Sequence, residues 1–481
     1  MTLTRREFLA SGGALAGLGL LAPIIGRGGA AFGLTGIDPS TTVRNRLIVI
    51  FQQGGNDGLN TVIPTGGSRA DVYRHVRPSI GYTSGTLPLD RVGDADHALA
   101  LNPKLSTFHN LYRDGRLAVV QGVDYPAHNY SHFESTDIWE SGLPELSNHS
   151  GWLGRHLDRA GIADGELRGV GIGSQLPLVL RGSQRQGVGI TGLPLRFSDG
   201  TAAIGDARHA ALRAYGQALW PEPLRQMAAG QAESTVATVE TLESVPVPPA
   251  TGNALANAML TVRTLMTQDL GVECVFVTQP GYDTHTTQVA SQEALLTSLD
   301  RAVEAFLYGT MGGVAIGSLG PLDPAVADNT IIMTMSEFGR RIGENAVGAI
   351  AGTDHGAAAP MFLIGPAGAG ANGSSLVPGL HGAHPEMGST LLPAQNLMMT
   401  TELRRIYQAL LQQWLDDPDP SYEGAYEPLP GLFTTPVVET PATTTTSTST
   451  MTTSSTTSTT VLDPTTTTMA PAPVRKGGPK K

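Results

Sequence analysis

The chain has 481 residues, with 31 Lys and Arg against 42 Asp and Glu, a net charge of -11 and one cysteine. That balance argues against nucleic acid or an anionic membrane surface as the main partner, and a lone cysteine excludes an intramolecular disulfide. Cys274 lies in the apolar run VECVFVT, a setting for a core residue rather than a nucleophile.

The first stretch is TLTRREFLASGGALAGLGLLAPIIGRGGAAFG. Arg5-Arg6 stand beside an apolar run from Phe8 to Ile25 that is diluted by Gly12, Gly13, Gly17 and Gly19, and small residues follow at Gly28 to Ala31. This is the pattern of a removable twin-arginine export signal over residues 1–31, which leads to a periplasmic, cell-wall-associated or extracellular destination. The glycines weaken both the helix and its hydrophobicity, which disfavours a permanent anchor.

Residues 38–433 read as one large domain. Short β-rich runs alternate with helical patterns, as in a parallel α/β sheet. Strands are expected at Arg46–Gln52, Leu117–Val123, Val272–Gln279, Thr330–Phe338 and Met361–Gly365. Two apolar stripes have helical spacing: Leu295, Leu299, Val303, Phe306 and Leu307, then Leu403, Ile406, Tyr407, Leu410 and Trp414. A helical segment near Asp206–Trp220 and the linker ESVPVPPATGN suggest an insertion over about residues 181–252. From residue 434 to 481 a Thr/Ser/Pro tract lacks the apolar residues to offset its chain entropy. It reads as a disordered tail or an O-glycosylated spacer that associates with the cell wall.

The unusual polar residues fall in turns that follow a strand, and ligands of open parallel sheets bind at the carboxyl ends of their strands. They are Asp57 in GGND, Ser131-His132, Asp283 and His285 in YDTH, and Asp354-His355 in GTDHG; His381 and His384 follow in GLHGAHPEMG. Carboxylates and imidazoles on separate loops are the ligand set of one or two divalent metals, and this set fits Zn, Mn or Fe better than Ca. Two of these residues have structural readings as well. Asp57 can close the strand as an Asx-turn, and SHFE is a capping-box pattern that makes Ser131 a helix N-cap.

FQQGGNDGLNTVIP, SHFESTDIWESG, GWLGRHLD, YDTHTTQ and SEFGRRIGEN…GTDHG together resemble an exported bacterial family, domain of unknown function 1501, from about Leu47 to Trp414. The order of the ligand-type residues is also similar to that of the alkaline phosphatase/sulfatase-like superfamily. This resemblance implies a mixed, mostly parallel α/β sheet flanked by helices. It also implies two metal sites: Asp57, Asp354 and His355 in one, with Ser131 as bridging nucleophile, and Asp283, His285 and either His381 or His384 in the other. His132 is an alternative ligand or base, Thr136 an alternative nucleophile, and Arg340 or Arg341 an anion clamp. The implied activity is hydrolysis of a phosphate or related anionic ester, with a small ester or a cell-envelope component as substrate and no nucleic acid. The competing reading is a non-catalytic surface-binding or assembly protein on the same fold.

Overall fold

Nine strands form the central sheet of the computed structural model. The structure describes residues 44–89, 98–143, 150–160, 167–195, 202–387, 396–417 and 426–434. The export signal expected over residues 1–31, and the Thr-rich tail past Thr434, lie outside the described residues. Among the described residues no helix is long and apolar enough to cross a membrane.

The strands are β1 (Arg46–Gln53), β2 (Leu117–Asp124), β3 (Gly169–Ile172), β4 (Val188–Ile190), β5 (Cys274–Pro280), β6 (Thr330–Met335), β7 (Ala359–Ile364), β8 (Gly379–His381) and β9 (Thr401–Glu402). Their spatial order is β8-β2-β7-β6-β1-β5-β3-β4, with β9 also paired to β2. Central β1 is parallel to both neighbours, with Leu47 opposite Ile331 on β6 and Cys274 on β5. Only β7 is reversed, antiparallel to both β6 and β2. The fold is thus α/β with a mixed, mostly parallel sheet.

A strand covered on both faces must be apolar at consecutive positions, and the sequence RLIVIFQQ of β1 is. Leu47, Val49 and Phe51 pack on one side, Ile48 and Ile50 on the other, all almost wholly buried. Helices cover both faces: α1 (Gly67–Val76), α2 (Ser106–Arg113), α3 (His132–Ser141), α4 (Trp152–Arg159), α5 (Ala202–Gly216), α6 (Pro223–Glu243), α7 (Ala254–Thr267), α8 (Gln288–Tyr308) and α9 (Leu403–Ala409). Residues of α2, α6, α7 and α8 share the core of Ile48 and Ile50, while those of α3, α4 and α9 share that of Leu47 and Val49. Both helical stripes face the core: Leu299, Val303 and Phe306 are fully buried, as are Leu403, Ile406, Tyr407, Leu410 and Trp414. A π-helical turn, Leu410–Trp414, continues α9, and the Trp414 indole donates to the Arg46 carbonyl at 2.9 Å. Cys274 is fully buried, and that burial pushes its thiol well above the ordinary value.

Within residues 181–252, read as an insertion, Val188–Ile190 is an edge strand of the sheet itself. Val236, Val239 and Leu242 of α6 enter the main core, so this segment belongs to the domain's body.

The reversal of β7 matters for the site. β6 ends at the carboxyl edge of the sheet, and β7 begins at that same edge because it runs back alongside. The connecting residues 336–358 therefore never cross the sheet. They remain beside the turns that leave β1, β2 and β5.

Candidate metal centre

Three imidazoles and one carboxylate meet at this edge. His132 opens α3 after β2, Asp283 and His285 follow β5, and His355 precedes β7. His132, Asp283 and His355 each offer a ligand atom within 4.8 Å of the other two. Asp283 Oδ1 lies 3.0 Å from both His355 Nε2 and His285 Nε2, and Asp283 Oδ2 lies 3.6 Å from His132 Nε2. The two Nε2 atoms of His285 and His355 are 3.0 Å apart. Their side chains are 20 to 47 % exposed, so the cluster opens to solvent.

Each imidazole is held from behind. His132 Nδ1 donates to Glu337 Oε1 at 2.8 Å, and His355 Nδ1 donates to the Tyr130 carbonyl at 3.0 Å. His285 Nδ1 stands 3.4 Å from Asp354 Oδ1. An Nδ1 that donates leaves the lone pair on Nε2, and in all three rings Nε2 is the atom turned toward Asp283. Facing lone pairs repel unless a proton or a cation lies between them. A tetrahedral ion with Zn–N bonds near 2.0–2.1 Å spaces its ligand atoms at about 3.3 Å. The residues present therefore fit a divalent ion, with the outer partners that metal-ligating histidines normally have.

The electrostatics follow from these contacts. Burial alone would raise the Asp283 carboxyl, but the hydrogen bond from Arg340 and the close contact with His355 outweigh it and bring it down to about 2. The hydrogen bond to Glu337 raises His132, whereas burial lowers His355. Asn345 donates to Asp354 at 3.2 Å and lowers its pKa.

The expected residues take different places in the structure. The structure gathers His132, Asp283 and His355, with His285 touching Asp283 and His355, instead of dividing these residues between two metal sites. Asp57 is not among them. Its buried carboxylate caps the helical turn Gly58–Thr61 through Leu59 N and Asn60 N, pairs with Arg77 at 2.7 Å and accepts from Gln288. A carboxylate with those four donors has no lone pair directed at the cluster. Asp354 stands behind His285 as its outer partner. Ser131 is the N-cap of α3, accepting from Glu134 N at 3.4 Å. His381, on edge strand β8, contacts the Val377 carbonyl through Nε2 at 2.7 Å and lies outside the group. His384 contacts the Pro385 carbonyl through Nδ1.

Arg340 is buried and committed to the frame. Its guanidinium donates to the carbonyls of Gly55 and Thr353 at 2.8 Å, of Tyr282 at 3.1 Å and of Gly54, and to Asp283 Oδ1 at 2.7 Å. It ties three turns together and orients Asp283, with little left to clamp an anion. Arg341 is 38 % exposed; it donates through Nε to the His355 carbonyl at 3.3 Å and lies 3.9 Å from Asp354.

The residue the sequence reading missed is Glu337. It is fully buried and accepts from Gly54 N, Gly55 N and His132 Nδ1. The expected strand Thr330–Phe338 enclosed it, whereas the structure ends that strand at Met335 and leaves Glu337 in the turn beyond, the position that marked the other candidates.

No curated protein matches the chain. The family model described as a protein of unknown function, DUF1501, matches residues 116–414. That span is more than half of the chain and includes every residue of the cluster, so the chain belongs to the DUF1501 family.

Proposed function

We propose that His132, Asp283, His285 and His355 hold one divalent transition-metal ion (Zn, Mn or Fe) and that the protein is a metal-dependent hydrolase of an anionic ester. The observation that carries this reading is the orientation of three imidazoles, each anchored at Nδ1 and aimed by Nε2 at Asp283. Such an ion, when bound, supplies Lewis-acid polarisation of an ester oxygen and a nucleophilic water at neutral pH. Glu337, Asp354 and the Tyr130 carbonyl fix the rings. Arg340 holds Asp283, and the more exposed Arg341 offers a cation to the anionic part of the substrate. The alkaline phosphatase-like kinship, twin-arginine export and a cell-envelope substrate belong to the same proposal, resting on the motif order and on Arg5-Arg6.

One observation favours a second reading. Ser131 serves as a helix cap, so the bridging nucleophile of the superfamily pattern is not assembled. A metal-stabilised surface-binding protein on this fold has no need of it.

Elemental mass spectrometry on the folded protein, beside an Asp283→Ala/His355→Ala double variant, tests the proposal. One equivalent of metal, lost in the variant, with metal-dependent turnover of phosphate or sulfate esters, is the outcome expected of a hydrolase. Metal without turnover favours the binding reading. Absence of metal, under conditions that do not strip it, overturns the site.

A further inference from the structure

Nine large apolar side chains stand exposed among the described residues, and four of them belong to two of the three segments that carry the cluster. Tyr130 (38 %) and Phe133 (86 %) flank Ser131-His132, while Val347 (79 %) and Ile350 (64 %) lie between Arg341 and Asp354. Both segments are bonded to the ligands. The Tyr130 carbonyl accepts from His355 Nδ1 at 3.0 Å. Asn345 Nδ2 donates to the His285 carbonyl at 3.0 Å, and the Ile350 carbonyl accepts from Thr287 N at 3.3 Å.

Apolar side chains scattered singly over a surface need no explanation, but exposed ones on segments hydrogen-bonded to a polar centre mark a rim that a ligand can cover. Phe133 is the clearest instance, since it adjoins a ligand on the first turn of a helix and is almost fully exposed. Resting on the metal-centre reading, we propose that the substrate is an amphiphilic anionic ester. Its anionic head meets the cluster and Arg341, and its apolar tail lies on Phe133, Tyr130, Val347 and Ile350. The net charge of -11 opposes docking on an anionic bilayer, and Arg341 supplies the local cation for a single dispersed anionic amphiphile.

The test is isothermal titration of the full, metal-containing chain with methyl, butyl and octyl phosphate below their micelle concentrations. A Phe133→Ser/Ile350→Ser variant and metal analysis of both proteins run alongside. A fully buried methylene strengthens binding about fourfold, so even a half-covered tail gives more than about tenfold from methyl to octyl. That gain is expected to vanish in the variant while its metal content stays unchanged; both substitutions are at exposed positions and leave the core intact. Equal affinity along the series, with metal retained, overturns the amphiphile and leaves the metal centre standing, with the rim free for a protein partner. A chain-length gain that survives in the variant also overturns it. A wild-type chain without metal overturns both readings.

Discussion

Glu337 controls the centre without belonging to the group that meets there. Its carboxylate holds Gly54 N at 2.8 Å and Gly55 N at 3.3 Å, and accepts from His132 Nδ1 at 2.8 Å. It thus couples the turn after β1 to the tautomer and ring angle of His132, which arrives after β2. Replacing such an outer partner commonly weakens metal affinity by about 10- to 100-fold. Glu337→Ala is expected to fall in that range, and Glu337→Gln, which keeps an acceptor for His132, to fall less. Competition against a fluorescent chelator measures both. Equal losses would mean that the residue acts through charge alone and not by orienting the ring. At Asp57 the same chemistry serves the frame: a buried carboxylate with an arginine, a glutamine and two backbone donors holds a turn in place.

At the scale of elements, the turns at the carboxyl edge interlock because glycines let their backbones touch. A Cβ on Gly54, whose φ is +122°, would lie 2.3 Å from Asp283 N, and one on Gly352 would lie 2.4 Å from the His285 carbonyl carbon. Gly352 opens the GTDHG motif, so the motif supplies His355 and also the close approach that seats His285 of a neighbouring turn. Gly352→Ala should push His285 outward and reduce metal affinity by about tenfold or more, comparable to losing an outer contact. The fold should persist, because the strands beneath are unaltered. Metal stoichiometry after dialysis, beside a thermal melt, reads the two effects separately; retained metal at wild-type affinity would show that the turn gives way without moving the imidazole.

Across the whole molecule, stability and chemistry sit at opposite edges of the sheet. At the amino edge His156 of α4 is buried between Asp417 (2.8 Å) and Glu273 (3.1 Å), and Arg159 and Arg168 pair with the same acids. Burial opposes the charged imidazolium, but the hydrogen bonds to Asp417 and Glu273 outweigh it and raise the pKa of His156. Its stabilisation is therefore fully present below the unfolded value of about 6.5 and is lost as pH rises through the higher folded value. Breaking a buried ionic network by removing one partner costs about 3 kcal/mol. His156→Leu is expected to lose about that much at pH 6, and the deficit should narrow as pH increases. Denaturant midpoints of both proteins across pH measure it, and a deficit that stays constant would assign the loss to packing instead of charge.

The sequence by itself determined five of the strands, the two core-facing helical stripes, the α/β class and the edge at which the chemistry gathers, while the mixed character of the sheet was expected only from the family resemblance. These follow from local periodicity and from apolar runs, which act within a few residues of chain. It also contained Asp283, His285 and His355, whose motifs are compact, and it offered the cap reading of Ser131. Only the tertiary structure decided which candidates meet. Asp57 and Asp354 are the same residue type in similar turns, yet Arg77, Gln288 and two backbone donors claim the first, while the second backs an imidazole. The direction of β7 keeps residues 336–358 beside the other turns, and no local pattern encodes it, since the reversal depends on pairing with β2 and β6, more than two hundred residues and two dozen residues away respectively. A ligand set is a statement about distances between remote parts of the chain, and those distances are fixed by the packing of the sheet.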